Sequence, residues 1–322
     1  MGVTAQAGEL RSSEGQSHPM NAYASPLRLK ILTCLLGACL VGLLPGCSSA
    51  PVTAHSTPSP SNSNANSAAA SYKPQRGQMG KDVMWLPTSA NLVNTMLSAA
   101  QVTADDLVVD LGAGDGIIPI IAAQQFGARA LGIEYNPKLA AYAQQQVERA
   151  GVSNRARIIQ GDIFQEDFST ATVVTMYLLP ELNLQLRPTL LAMKPGTRLV
   201  SHAFDMGDWE PDQTLGTERE RAFLWIVPAQ FAGQWTLRDQ QGQVLGHFEL
   251  QQRYQRAGGL MRIAGSSQPL LGARIEGNTL RFQYIGRDDG LHSVVLSPSG
   301  PSLQGDMTVH GITQGVSAQR QP

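Results

Sequence analysis

The sequence predicts an α/β fold, a doubly wound sheet with helices on both faces, followed by a small antiparallel all-β domain. Three observations favour this class. A glycine-rich turn follows an apolar strand at 107–111, and helical and strand patterns then alternate up to about residue 202. From about residue 217 the pattern changes to short strands separated by turn residues. A chain of 322 residues is long enough for two such domains.

The first 47 residues are predicted to be a leader that contains a lipoprotein-type signal peptide. Arg28 and Lys30 precede an apolar run of about 14 residues at 31–44, and Cys47 follows a proline and a glycine. This run is too short for a membrane-spanning helix, which needs about 20 residues. The end of the leader resembles the bacterial lipobox, although the proline departs from it, and Met20 fits a signal-peptide start better than Met1 does. We therefore expect lipidation of Cys47 and a membrane anchor.

The leader also predicts a location. Basic residues ahead of an apolar run remain in the cytoplasm, which directs the residues after it across the membrane. We expect a lipoprotein anchored on the periplasmic face, and the alternative is a cytoplasmic protein with an uncleaved anchor. All three cysteines lie in the leader, so the globular part has no disulfide and no cysteine-based metal site. No metal is predicted.

Four segments follow the leader. Residues 48–79 are rich in Ser, Pro, Ala and Asn and are expected to form a disordered tether, because they hold too few apolar side chains for a core. Residues 80–229 are expected to form a cofactor-binding domain, residues 230–313 an antiparallel meander (a barrel or a sandwich), and residues 314–322 a disordered tail. The net charge of -1 provides no basic field, so no nucleic-acid partner is expected.

Within the cofactor-binding domain, cap residues delimit the helices. Thr88 or Ser89 caps a first helix, and Thr88 is also a candidate to contact a ligand. Gly127 ends the helix that follows the glycine-rich turn, and Asn136 begins the next helix with a proline in its first turn. A further helix is expected over 181–192. Because strands alternate with helices here, the sheet should be parallel.

The glycine-rich turn is the predicted ligand site. Gly112, Ala113 and Gly114 let the backbone approach a ligand closely, directly before a helix whose first N–H groups have no helical partner. The spacing is G-x-G-x-G, whereas the dinucleotide fingerprint is G-x-G-x-x-G. Asp110 ends the preceding strand, where it would repel a pyrophosphate and would suit a positively charged ligand. These features favour S-adenosylmethionine, with its sulfonium and α-amino groups, over NAD.

Two more carboxylates end successive strands of the predicted sheet. Glu134 stands at the spacing at which a strand-end acid binds the two ribose hydroxyls, and Asp162 would lie near an adenine amino group. Each of these acids alone is equally well explained as a solvated or capping side chain. Three acids at successive strand ends after a glycine-rich turn predict one shared site.

Residues 80–211 resemble class I S-adenosylmethionine-dependent methyltransferases. They are most similar to the group that contains the mitochondrial protein-lysine methyltransferases of the adenine nucleotide translocase and the ATP synthase c ring. The resemblance rests on six segments: 86–88, 110–116, 132–137, 177–181, 195–201 and 209–211. It implies a Rossmann-like methyltransferase domain, S-adenosylmethionine as cofactor, a protein lysine as substrate, and cofactor contacts at Asp110, Gly112, Gly114, Glu134 and Asp162.

The same resemblance implies that Tyr177, Leu179 and Pro180 face the methyl group and the substrate amine. Glu181, Asp205 and His202 are further polar candidates near strand or helix ends, but the sequence assigns no catalytic base. Combined with the expected anchor, it predicts methylation of a lysine on a membrane-associated partner. Two alternatives stay open: a membrane-tethered binding module without turnover, and an NAD-binding oxidoreductase.

Overall fold

A computed structural model of the chain describes residues 72–321. The predicted leader, including Cys47, and residues 48–71 of the predicted tether lie outside the described residues. The prediction of a disordered tether is wrong for residues 72–79, because they contact the folded domain. The ring of Tyr72 meets that of Tyr142 edge-on at 6.0 Å, and the Gly77 N–H donates to the Trp85 carbonyl at 2.9 Å.

The first domain is a seven-stranded sheet with helices on both faces. Its helices are α1 (Ala90–Ala99), α2 (Ile117–Phe126), α3 (Pro137–Arg149) and α4 (Pro180–Leu191). Its strands are β1 (Leu107–Leu111), β2 (Arg129–Glu134), β3 (Ala156–Gln160), β4 (Val173–Met176), β5 (Arg198–His202), β6 (Gln213–Gly216) and β7 (Arg221–Ile226).

The strand order is β3-β2-β1-β4-β5-β7-β6. Strands β1 to β5 are parallel, whereas β7 runs antiparallel to both β5 and β6. The order reverses direction at β1, so the loops after β1 and β4 open a crevice at the carboxyl ends of the strands. This architecture confirms the doubly wound sheet, with a mixed edge that the sequence had suggested only through its change of pattern.

Alternating side chains of the strands feed two apolar cores, one on each face of the sheet. Val108 packs with the buried faces of α1, α2 and α3, whereas its neighbour Val109 packs with Leu186 and Leu190 of α4. This division follows from the two-residue repeat of a strand. The helix caps fit the sequence: the Ser89 hydroxyl accepts from the Leu92 N–H at 3.2 Å, and Ser89 rather than Thr88 is the cap.

The second domain is a closed antiparallel barrel. Its strands are β8 (Gly233–Asp239), β9 (Val244–Arg253), β10 (Arg256–Ile263), β11 (Ser266–Pro269), β12 (Leu271–Glu276), β13 (Thr279–Ile285), β14 (Leu291–Ser299), β15 (Ser302–Val309) and β16 (Ile312–Arg320). Eight of them close the ring because β9 pairs with β10, and β11 extends β10 as a hairpin. Of the two predicted forms, barrel and sandwich, the barrel is therefore the one formed.

Aromatic side chains fill the barrel. Trp235, Phe248, Phe282 and Tyr284 form a chain of ring contacts with centroids 5.0–6.4 Å apart, and all four are buried. An eight-stranded barrel has an interior just wide enough for side chains to fill. The second domain therefore has a packed core.

The predicted disordered tail is wrong up to Arg320, because β16 lies between β15 and β8. Val316 and Ala318 of this strand are buried in the barrel core. The polar residues around them had concealed the alternation. The meander thus extends past the predicted boundary at residue 313.

Two searches of residues 72–321 bear on membrane and metal binding. Among these residues, none of the helices is long and apolar enough to cross a membrane. Within the same range, no group of three or more His, Cys, Asp or Glu side chains is placed to hold a metal ion.

Candidate functional site

A cavity of about 340 Å³ lies at the carboxyl ends of the parallel strands. Small-molecule sites typically occupy clefts of about 300–1,000 Å³, and in doubly wound sheets they lie at the point where the strand order reverses. The cavity is bounded by the glycine-rich turn, by the ends of β2, β3 and β4, and by residues 78–88, which we call the strap.

Asp110 is the most deeply buried acid of the cavity, with 3% of its surface exposed. The Thr175 hydroxyl donates to its carboxylate at 2.7 Å. Burial raises the pKa of Asp110 to about 7, and the nearby carboxylates of Asp115 and Glu134 act in the same direction. Its charge is therefore poorly compensated by the protein itself.

Glu134 is held by the backbone around it. Its carboxylate accepts from the Gly114 N–H at 3.0 Å and from the Asn136 N–H at 2.9 Å. Burial raises the pKa of Glu134, although these two hydrogen bonds oppose the rise. The acid thus joins the glycine-rich turn to the end of β2 and still lines the cavity.

The charges around the cavity are strongly unbalanced. Its described lining contains one cationic side chain, Lys81, and five carboxylic acids: Asp82, Asp110, Asp115, Glu134 and Asp162. Lys81 Nζ lies 2.9 Å from a carboxylate oxygen of Asp162 and 3.9 Å from one of Asp82, and the contact with Asp162 lowers the pKa of that acid. The three acids nearest the glycine-rich turn have no cationic partner within the cavity lining. A ligand with positive charge fits this set, because it would supply the missing counter-charge.

The glycine-rich turn requires glycine for both backbone and space. Gly112, Gly114 and Gly116 all have positive φ angles, of 79°, 57° and 82°. A Cβ atom on Gly114 would lie 2.6 Å from the indole nitrogen of Trp85 in the strap. The strap therefore packs directly over the turn. A bridge between Met79 and Met84 gives the strap a tight turn of its own.

Apolar side chains form the other end of the cavity, which we call the mouth: Tyr177, Leu179, Leu182 and Phe204. Leu179 is 40% exposed, so the mouth is open to a partner. The His202 ring lies 3.8 Å from the Tyr177 ring, and His202 Nδ1 is 3.0 Å from the Thr88 hydroxyl. Burial lowers the pKa of His202, so the ring is neutral at pH 7 and positions Tyr177 and Thr88 without carrying charge.

The structure brings nine of the ten predicted contact residues around this one cavity: Thr88, Asp110, Gly112, Ala113, Gly114, Glu134, Asp162, Tyr177 and Leu179. Pro180 begins α4 and is not part of the cavity lining, because its ring occupies the first turn of the helix. Glu181, His202 and Asp205 also lie outside the lining. Their roles as ligand contacts remain predictions.

Three lining residues were missed by the sequence interpretation: Lys81, Trp85 and Phe204. Lys81 and Trp85 precede the first helix, in a segment without periodicity, and reach the site only through the fold of the strap. Phe204 follows β5, and its position directly after a strand end was the one available signal.

Comparison with known proteins gives one consistent relationship for the first domain. Residues 110–213 match the family described as the ANTKMT methyltransferase domain. The chain is 44% identical over 151 residues to a protein-lysine N-methyltransferase of Saccharolobus islandicus, a match that covers 45% of this chain and 94% of that protein. The family match ends before the barrel begins at Gly233.

Mammalian proteins match over shorter shares of their length. The mouse lysine N-methyltransferase of the ATP synthase c ring protein is 33% identical over 124 residues, which is 38% of this chain and 50% of that protein. The mouse adenine nucleotide translocase lysine N-methyltransferase is 33% identical over 147 residues, which is 45% and 63%. Among solved structures, one described as an RNA methyltransferase from Salinibacter ruber with S-adenosyl-L-homocysteine has 46% identity, covers 45% of this chain and 96% of that chain, and superposes with a TM-score of 0.45.

Proposed function

Because the chain belongs to the ANTKMT methyltransferase family and is an S-adenosylmethionine-dependent methyltransferase, we propose that it methylates the ε-amine of a lysine in another protein. The observation that carries this proposal is the match along 94% of an archaeal protein-lysine N-methyltransferase. The mouse relatives described above are named for lysines of two different proteins, so the family relationship supports the acceptor group and leaves the acceptor protein open.

The residues of the cavity fit the cofactor. The uncompensated carboxylates of Asp110 and Glu134 would lie against a ligand whose sulfonium and α-amino groups are positive. Backbone N–H groups of the glycine-rich turn and the open cradle at Gly112 and Gly114 would let the ligand approach the main chain. When bound, S-adenosylmethionine supplies an activated methyl group, whose sulfur–carbon bond breaks as the nitrogen–carbon bond forms.

The apolar mouth supports an amine as the acceptor. A lysine nucleophile must lose its proton, and an apolar environment lowers the pKa of an ammonium group by disfavouring its charged form. Tyr177, Leu179 and Phe204 would surround such an amine with ring and alkyl surface. Because methyl transfer needs mainly an in-line approach, positioning of the nitrogen is the principal contribution that these side chains would make.

We further propose that the acceptor is membrane-associated and that the protein reaches it through a lipid on Cys47, on the periplasmic face. This proposal rests on the leader alone, through its basic flank, its apolar run and the cysteine that follows. A cytoplasmic location is the competing proposal, supported by the cytosolic origin of S-adenosylmethionine. A membrane-tethered module without turnover would have the same leader and would bind the cofactor without transferring methyl groups.

The acceptor proposal is tested with membrane extract and S-adenosylmethionine that carries a labelled methyl group. We expect label in methyl-lysine of one or a few proteins, identified by mass spectrometry of tryptic peptides. Asp110→Ala should lose the labelling, whereas Asp105→Ala, at an exposed acid outside the cavity, should retain it. Label found only in RNA or in small molecules would refute lysine as the acceptor. A phosphatase fused after residue 80 separates the two locations, since it is active only if exported.

A further inference from the structure

The barrel reaches the methyltransferase site through a single loop. Residues 203–212 follow β5, and we call them the junction loop. Their first part carries Phe204, which lines the mouth of the cavity. Their second part carries Trp209, which is fully buried, and Asp208 and Glu210, which face the barrel. One short loop therefore has the substrate end of the site on one side and the barrel on the other.

The first part of the junction loop is fixed by the methyltransferase domain. The side-chain amide of Asn183, in α4, donates to the carbonyls of Phe204 and Asp205 at 3.2 Å and 3.1 Å. Arg187, one turn later, donates to the Met206 carbonyl at 2.8 Å. Helix α4 thus holds the loop from beneath.

The second part is fixed by the barrel, through the hairpin at 253–256 that joins β9 to β10. The ring of Tyr254 stacks on that of Trp209, with centroids 5.7 Å apart and planes 21° apart. Gln255 accepts from the Trp209 indole N–H at 3.0 Å and donates to the Glu210 carbonyl at 2.6 Å. Arg256 forms an ion pair with the Glu210 side chain.

Asp208 joins the two domains directly. Its carboxylate accepts from Arg253 of the hairpin and from Arg187 of α4, each at 2.5 Å, and from the Tyr254 hydroxyl at 3.2 Å. The hydrogen bond from Arg253, with those from Arg187 and Tyr254, holds the pKa of Asp208 at about 2. Asp208 is therefore ionised at any pH at which the enzyme works.

The backbone at Tyr254 is strained. Its φ is +55°, in the left-handed region that glycine adopts freely and that a tyrosine adopts at a cost. Strained residues persist where surrounding contacts over-determine them, and they concentrate at functional places. Glycine would satisfy the turn, but only an aromatic ring supplies the stack on Trp209. The contact with the junction loop thus accounts for a tyrosine at this position.

We propose that the hairpin at 253–256 is a positioning element of the methyltransferase site, with Tyr254 and Asp208 holding the junction loop so that Phe204 stays at the mouth of the cavity. This inference rests on the proposed function, because the mouth is where the acceptor amine would enter. The barrel is then a working part of the enzyme. It acts on acceptor binding and leaves the cofactor end of the cavity unaffected.

The test uses Tyr254→Gly, which relieves the backbone and removes the stack, and Asp208→Asn, which removes the charge shared by the two domains. Ala264→Gly is the matched control. Ala264 also has a positive φ, of 50°, in a hairpin of the same barrel, between β10 and β11. Tyr254→Phe retains the ring and should restore most of the parent behaviour.

Two measurements are made on the full chain. Amide hydrogen exchange of residues 203–206, followed by mass spectrometry, should quicken at least tenfold in Tyr254→Gly and Asp208→Asn and stay unchanged in Ala264→Gly. With poly-L-lysine as the probe acceptor, the same two variants should raise the KM for poly-L-lysine at least tenfold. The KM for S-adenosylmethionine and the binding of S-adenosylhomocysteine should change less than twofold.

Unchanged exchange at 203–206 would overturn the inference, and so would faster exchange with unchanged kinetics. A parent protein that binds S-adenosylhomocysteine but methylates neither poly-L-lysine nor extract protein would contradict the proposed function. In that case the exchange experiment still decides whether the hairpin holds the junction loop.

Discussion

Replacing Asp110 with asparagine should stabilise the protein without ligand and weaken its binding of the cofactor. The side chain is buried, and its pKa is about 7 in the folded protein, against about 3.9 in an unfolded chain. In the parent, a raised carboxyl pKa gives stability that is fully present below about pH 4 and is lost as the pH rises to about 7. A shift of about 3 pKa units corresponds to about 4 kcal/mol of unfolding free energy.

Asparagine keeps an oxygen that can accept the Thr175 hydroxyl and removes the buried charge. We therefore expect Asp110→Asn to raise the free energy of unfolding by about 2–4 kcal/mol at pH 8, and by only about 1.5 kcal/mol at pH 5. Urea unfolding of the parent and the variant without ligand, at both pH values, measures the two differences. Asp105→Asn, at an exposed acid outside the cavity, should change neither.

Cofactor binding should change in the opposite sense. Loss of one charge-assisted contact costs about 1.5–3 kcal/mol, which is about 10- to 150-fold in the dissociation constant at pH 8. In the parent, the affinity for S-adenosylmethionine should fall as the pH drops below about 7, because Asp110 then binds a proton. Calorimetric titration at pH 6 and pH 8 should find that dependence reduced in Asp110→Asn. A variant no more stable than the parent at pH 8, or a parent whose affinity is equal at both pH values, would refute the reasoning.

Three further predictions concern the turn, the barrel and the leader. Gly114→Ala should weaken S-adenosylhomocysteine binding at least tenfold, because its Cβ would meet Trp85, whereas Gly151→Ala, also at positive φ but in open space, should lose only about 1 kcal/mol of stability and no affinity. Deletion of residues 312–320 should remove the cooperative unfolding of the barrel, detected by near-ultraviolet circular dichroism, because β16 closes the ring. Cys47→Ser should abolish labelling by a palmitate analogue and leave a longer precursor on a gel.

The sequence predicted the cavity well because strand ends are local features. Asp110, Glu134 and Asp162 each follow a short apolar run, and parallel strands bring their carboxyl ends to one edge of the sheet. The glycine-rich turn and the helix caps are also encoded by neighbouring residues. The sequence could therefore predict these features without knowledge of any long-range contact.

The strap, the junction loop and the last strand depend on contacts that spacing does not encode. Trp85 covers Gly114 because of the path of the strap, and Tyr254 meets Trp209 across two domains. Strand β16 is mostly polar, and only Val316 and Ala318 reveal its buried face. Hydrogen bonds to β15 and β8 hold it in place, so its structure comes from its neighbours.

The position of β16 between β15 and β8 sets an order of events during synthesis. The methyltransferase sheet is complete once Ile226 has left the ribosome, whereas the barrel closes only when residues up to Arg320 are available. Gln321 donates to Thr236, which lies 85 residues earlier, so closure joins distant parts of the chain. At translation rates of about 5–20 residues per second, β8 waits roughly 5–20 s with an unpaired edge, a period in which such edges invite aggregation. During this interval the hairpin of β9 and β10, which is local and already synthesised, can settle on Trp209 and give the unfinished barrel a folded surface on which to assemble.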